Sequence, residues 1–305
     1  VILTVTCNPA LDVTYTVDRL QPGAVHRVSE AFVRPGGKGV NVARVLHQLG
    51  EPVRALGLAD PGFGERLSEL GVMASFEDAM PEVRRTVVVK DATTTSLWER
   101  GHPIVPGAVD RLVGTVAEHL VTARALVVSG SLPPGVPVDL PLRLARLATE
   151  AAVPTVLDLD DEPLAEASRG GGAVLTPNAE ELARLRGAAD DVESAVRALA
   201  ARTGAPVVHT LGERGLLATD GTTCWRASLP RPVEGNPTGA GDAVTAGIAR
   251  GLALAHEWPD ILQDAVALGA AAVAVPTAGE VDLAAYESHL TEVRVEVVDP
   301  TPAER

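Results

Sequence analysis

Six short apolar runs, at residues 1–6, 53–58, 125–129, 155–159, 173–176 and 207–211, have the aliphatic and β-branched make-up of buried strands. Between several of them apolar residues recur every three or four positions. After Gly39, the residues Val42, Val45, Leu46 and Leu49 share one helical face, and Gly50 follows as a stop. Residues 141–152, 179–186 and 192–203 show the same periodicity. Strands with no outward polar face must be covered on both sides, and parallel neighbours need a crossover, usually a helix. The alternation therefore predicts an α/β fold, with three α/β/α layers around a mostly parallel sheet.

Two segments break the rhythm. From 12 to 34, Val13, Tyr15 and Val17, then Val25 and Val28, alternate with polar residues; from 83 to 104, Val87, Val89 and Leu97 do so. Both read as antiparallel strands with polar turns and no helix between. Two such insertions could form one small sheet over a face of the core. The core would then comprise 1–11, 35–82 and 105–298, and residues 299–305 read as a frayed tail.

A net charge of −14 argues against nucleic acid as a partner. An acidic chain that binds an anion must gather its few cations locally, and of 26 basic residues only Lys38 and Lys90 are lysine. Two cysteines, Cys7 and Cys224, give neither a disulfide framework nor a metal spacing, which fits a reduced cytoplasmic setting. Residues 1–6 are too short for a secretory leader, and the apolar stretch 265–275 is stopped by Pro276 before it could span a bilayer, so no membrane partner is expected.

The strongest chemical signal is Asn236-Pro-Thr-Gly-Ala-Gly-Asp-Ala-Val-Thr-Ala-Gly247. It reads either as a Gly-rich turn with a capping aspartate or as an anion-binding helix start, where unpaired N–H groups point outward beside the carboxyl of Asp242. In the second reading the N–H groups hold a phosphoryl group while Asp242, ionised at neutral pH with an ordinary pKa of about 3.9, takes a proton from a hydroxyl. Pro35-Gly-Gly-Lys-Gly-Val-Asn-Val-Ala43 is neither a P-loop nor a dinucleotide fingerprint. It is a flexible strand-to-helix turn, or a close approach of backbone to ligand with Asn41 reaching hydroxyls. Asn178 and Glu181 have capping-box spacing; they could also orient waters around Mg²⁺. Asp12, just past the first strand, and Ser131, after another, lie where ligand crevices form in open sheets. Arg84 and Arg85 open the second insertion and read either as solvated charges or as phosphate contacts. The seven histidines show no catalytic spacing.

Together these stretches resemble the PfkB branch of the ribokinase superfamily, and within it the kinases of phosphorylated ketohexoses. The resemblance implies a ribokinase-like core with a β-sheet lid, and ATP and Mg²⁺ as cofactors; an exposed apolar lid edge could also seek a second copy, giving a homodimer through the lid. It implies Asp242 as catalytic base and the N–H groups of Gly239, Ala240 and Gly241 as anion hole. Asp12, Gly36, Gly37 and Asn41 would hold the sugar, with Arg85, Ser131 and Lys38 at its phosphate. Thr210, Gly212 and Gly215 would approach the nucleotide, and Asn178 and Glu181 would serve the metal. The acceptor would be fructose 1-phosphate, tagatose 6-phosphate or fructose 6-phosphate. The alternatives are an unphosphorylated sugar, a nucleoside or a cyclitol, or a non-catalytic sensor of sugar or nucleotide. The chain departs from the family pattern at Thr176 (usually lysine), Thr86 (often asparagine), Ser96 (commonly glutamate) and Trp98, the last two on the substrate side.

Overall fold

The computed structural model describes residues 1–28, 31–185, 187, 189 and 191–298. The tail at 299–305 and the end of the 179–186 helix at 186 lie outside the described residues. In chain order the elements are β1 (Ile2–Thr6), β2 (Ala10–Thr16), β3 (Ala31–Gly36), α1 (Lys38–Gln48), β4 (Val53–Ala59), α2 (Phe63–Ser68), β5 (Met73–Asp78), β6 (Arg84–Lys90) and β7 (Thr94–Trp98). There follow α3 (Ala108–Leu120), β8 (Ala125–Ser129), α4 (Leu140–Glu150), β9 (Thr155–Asp158), α5 (Asp161–Ala167), β10 (Val174–Leu175), α6 (Ala179–Leu185), α7 (Val192–Thr203) and β11 (Val207–Thr210). The chain ends with β12 (Leu216–Thr219), β13 (Cys224–Ser228), α8 (Ala240–Ala253), α9 (Trp258–Val273), α10 (Leu283–Glu292) and β14 (Arg294–Val297).

Ten strands form the main sheet in the order β14-β13-β12-β11-β10-β9-β8-β1-β4-β5. From β5 through β11 every pairing is parallel, and β12, β13 and β14 add antiparallel at one edge. All residues of β1 and β8 are buried, because helices cover both faces. All six runs read from sequence are strands of this sheet. Among the described residues no helix is long and apolar enough to cross a membrane.

A second, four-stranded sheet has the order β3-β2-β6-β7. Each insertion supplies an antiparallel hairpin, and the two hairpins join through a parallel β2–β6 pair. Its faces differ in chemistry, because alternate residues of a strand point to opposite sides. Asp12, Thr14, Thr86, Val88, Ser96 and Trp98 face a cleft above the main sheet, while Tyr15, Val33, Val87 and Leu97 fall on the alternate positions that face away from it.

Helix α8 lies against α1 and α9 and is buried along most of its length. Its small residues make that possible. A Cβ at Gly247 would stand 2.7 Å from Ala265 Cα, and one at Gly251 would stand 2.6 Å from Ile261 Cγ1. Close packing with α9 fixes the direction in which the N-terminus of α8 points.

Candidate active site

The parallel strands β1, β8, β9, β10 and β11 all end at one cleft of about 1460 Å³, as ligand sites do in open α/β sheets. The second sheet roofs it, and the start of α8 enters from the side.

Gly239 caps α8 with φ 88°, a left-handed conformation that glycine adopts without strain, and a Cβ there would stand 2.8 Å from Ala278 Cα. The N–H of Ala240 donates to Pro237 O at 3.1 Å, and that of Ala243 donates to Gly239 O at 3.0 Å. Among the described residues no acceptor takes the N–H of Gly239 or of Gly241. Both residues line the cleft, whereas Ala240, whose N–H is already bonded, does not. Of the three glycine and alanine donors expected from sequence, two therefore point their hydrogen-bonding capacity at the cleft.

Asp242 stands in the first turn of α8 and is buried at the cleft floor. Its Oδ2 accepts a hydrogen bond from Asn41 Nδ2 at 2.8 Å. Burial pushes the carboxyl up to about 7; the negative charge of Asp158 adds to the rise, while Lys38 and the Asn41 amide oppose it. The ordinary acidity expected of an aspartate does not hold here, because the group has lost most of its water. With Nδ2 turned to Asp242, Asn41 Oδ1 is buried at the cleft wall and has no partner among the described residues.

Lys38, the first residue of α1, reaches Asp158 Oδ1 at 3.3 Å and Asp160 Oδ1 at 2.7 Å. Burial works against its charge, but these two carboxylates, with Asp242 beyond them, hold the ammonium firmly protonated. Lys38 is thus an internal cation between the end of β9 and Asp242.

Asp12 is on the cleft-facing side of β2. Burial raises its pKa, against the pull of Thr86 and Arg84. Gly36 does not line the cleft but makes room for it: a Cβ there would stand 2.0 Å from Asp12 Oδ2. Gly37, with φ 108°, passes close over Pro9 and does line the cleft. Ser131 also lines it, and its Oγ accepts from Asn8 Nδ2 at 3.0 Å.

Arg85, expected at the sugar's phosphate, does not line the cleft; its guanidinium lies 3.4 Å from Glu82 in solvent. Arg84 lines the cleft instead, donating to Asn8 O at 3.2 Å and Glu99 O at 3.2 Å. The strand alternation carried this signal: Arg85 shares a face with Val87 and Val89, and Arg84 with Thr86 and Lys90.

At the far end, Thr210 lines the cleft, but Gly212 and Gly215 do not. They shape the turn from β11 to β12, where a Cβ at Gly215 would stand 2.0 Å from Ala227 O. Gly215 is therefore explained by packing. Asn178 and Glu181 form the capping box: Asn178 Oδ1 accepts from the N–H of Glu180 and Glu181, each at 3.0 Å, and Glu181 Oε2 accepts from Asn178 N at 2.8 Å. Both also line the cleft, and burial pushes Glu181 up to about 7. Asn8, Arg44, Asp158 and Asp160 belong to the site but were not among its expected residues, and Arg84 was read only as a solvated charge or a phosphate contact.

A helix start aimed at a cleft with an aspartate in its first turn, on an open parallel sheet with a separate β roof, defines a ribokinase-like phosphotransferase fold. The pattern of the pfkB family of carbohydrate kinases matches residues 6–284. Phosphofructokinase-2 of Escherichia coli, in complex with fructose-6-phosphate, is 27% identical over 95% of this chain and 98% of its own, with a TM-score of 0.86. A Thermotoga maritima protein described as a possible 1-phosphofructokinase is 24% identical over 98% and 99%, with a TM-score of 0.86. Arabidopsis thaliana ribokinase, complexed with ribose and ATP, is 21% identical over 95% and 98%, with a TM-score of 0.73. The chain belongs to the pfkB family, and it is an ATP-dependent sugar kinase.

Proposed function

We propose that the chain transfers the terminal phosphoryl group of ATP to a hydroxyl of a phosphorylated ketohexose. The observation that supports a phosphorylated acceptor is where the cations are. In a chain of net charge −14, the roof sheet and its connections bring Arg34, Arg84, Lys90 and Arg100 to the cleft against Asp12 and Glu99, while the other carboxylates of the lining lie at the end of β9 and on α5, α6 and α8. That roof-side excess of cations is what an acidic protein needs to hold an anion.

Each residue has a role in this reading. Asp12 and Asn41 hold the sugar hydroxyls. Arg84 and Ser131 meet the existing phosphate, with Asn8 fixing the Ser131 hydroxyl. Asp242 orients the reacting hydroxyl and accepts its proton, and a pKa near neutrality suits that exchange. The N–H groups of Gly239 and Gly241, at the positive end of the α8 dipole, stabilise charge on the transferring group. Phosphoryl transfer passes through a loose transition state, so positioning and charge stabilisation carry most of the catalysis. Thr176 and Thr210 border the nucleotide.

The residues fit Mg²⁺ as the partner of the nucleotide phosphates. Asp158, Asp160 and Glu181 line the cleft with Lys38 as their cation, a surplus of negative charge that a divalent ion offsets. Asn178 and Glu181 are engaged in the capping box, so they would hold the ion through its waters, which Mg²⁺ gives up reluctantly. When bound, it would neutralise charge between the phosphates. The second sheet acts as the lid that keeps water out. Its outward face, with Val33 and Leu97 exposed, would meet the same face of a second copy; sedimentation of Leu97→Asp against the parent chain tests this, and an unchanged assembly state overturns it.

A coupled ATP assay with fructose 1-phosphate, fructose 6-phosphate, tagatose 6-phosphate and free fructose decides the acceptor class. Turnover of a phosphorylated sugar with at least tenfold higher kcat/KM than free fructose is expected from about 1.5–3 kcal/mol of charge-assisted phosphate contact. Equal values would overturn the reading.

A further inference from the structure

The inner face of the second sheet is laid out in rows. Its register sets Arg34, Asp12, Thr86 and Trp98 side by side on β3, β2, β6 and β7. Neighbouring strands lie about 4.8 Å apart, so Trp98 stands about 10 Å from Asp12 with one threonine between them. That gap accommodates one sugar ring.

Trp98 lines the cleft and is 71% exposed. The other large aromatic groups nearby or of its kind are engaged. Trp225, buried, stacks on Trp258 with ring centroids 6.3 Å apart. Phe32, on the adjacent row, has the Arg34 guanidinium over its ring at 4.2 Å. Among the described residues no aromatic ring or cation covers Trp98. An indole ring left bare in the lining of a cleft offers its face to a ligand.

We propose that Trp98 is a stacking platform for the acceptor and that it selects a ring-closed sugar over an open-chain one. This rests on the reading of the cleft as a sugar-phosphate site. A furanose or pyranose ring whose hydroxyls are held by Asp12 extends toward Trp98. One face of such a ring carries C–H bonds, weakly positive at hydrogen, which suit the negative face of the indole. An open-chain hexitol phosphate offers the same phosphate and as many hydroxyls but no such face. Thr86 is too short to take over that contact.

Tryptophan fluorescence of the full chain reads this directly. Titration with fructose 6-phosphate, fructose 1-phosphate or tagatose 6-phosphate should shift the emission of the parent chain, and Trp98→Phe should abolish the shift. Trp98→Ala should raise KM for the ketohexose phosphate by about 3- to 10-fold, the value of one aromatic contact, with the effect on KM rather than kcat. It should also bring the kcat/KM ratio between the ketohexose phosphate and a hexitol phosphate toward one, and Trp98→Phe should restore most of the ratio. A shift that persists in Trp98→Phe, or a ratio unchanged in Trp98→Ala, overturns the proposal. Emission reports binding and not turnover, so the two readings fail differently. A shift without ATP consumption sinks the catalytic reading alone; turnover without a shift sinks the platform alone; a chain that binds no sugar phosphate sinks both.

Discussion

The two walls of the cleft are built by opposite means. The lower wall is the interior of the protein: α8 is clamped between α1 and α9, Asp242 is buried, and Lys38 is tied to the carboxylates of Asp158, at the end of β9, and Asp160, just after it. The upper wall is a thin sheet whose inner face mixes threonine, serine and charge with Phe32 and Val88, with Trp98 bare on one edge. On the proposed reading, the groups that hold a reacting atom sit on packed elements, and the groups that adapt to a ligand sit on an element with little packing behind it. The chemistry should therefore be brittle in the lower wall and the selectivity tunable in the upper one.

The largest test of that contrast is Asp242→Asn. It should lower kcat by about 10²–10⁴-fold with circular dichroism unchanged, the usual cost of losing a general base. Near-normal turnover would remove the lower wall from catalysis. Next, Arg84→Ala should raise KM for the sugar phosphate by roughly 10- to 100-fold while KM for ATP stays within about twofold. Its neighbour Arg85→Ala should change neither by more than about twofold, since an exposed ion pair contributes little. Equal losses in the two variants would mean that the upper wall is turned the other way.

The pH profile sharpens the comparison further. With Asp242 titrating at about 7, kcat/KM should fall about tenfold per pH unit below that value, and the break should be absent from Asp242→Asn. The smallest effect is on stability, and its sign is fixed by linkage. The unfolded carboxyl titrates near ~3.9 and the folded one near 7, so between them the folded chain holds a proton the unfolded chain lacks. Stability then falls as pH rises through that window, and the loss is complete above it. Asp242→Asn should accordingly raise Tm at pH 8 by a few degrees, about 1–3 kcal/mol, and leave it unchanged at pH 4. A lower Tm at pH 8 would contradict the burial argument.

The core strands were legible because they are buried on both faces and so read as unbroken apolar runs. β13 and β14 were not, since Cys224–Ser228 and Arg294–Val297 carry no unbroken run of aliphatic and β-branched residues. α9 escaped for the converse reason: almost all of Trp258–Val273 is apolar, so there is no polar stripe to give a period. In the site, the start of α8 and the Asn178–Glu181 box were visible because each is local in sequence. The Lys38–Asp158–Asp160 cluster was not, as it joins residues about 120 positions apart. The Arg84 and Arg85 assignment lay between these cases, decidable from alternation with Val87 and Val89 but only once the strand was counted residue by residue. The acidity of Asp242 could not be read at all, because it is a property of the surroundings rather than of the residue.

The scarcity of lysine has a practical consequence. Amine-directed labels and cross-linkers have just two side chains to find in these 305 residues, and both border the cleft, so such reagents would probe the cleft rather than decorate the surface. Lysine-specific proteolysis would likewise meet one bond inside α1 and one at the end of β6, which makes cutting at the second a gauge of how freely the roof opens.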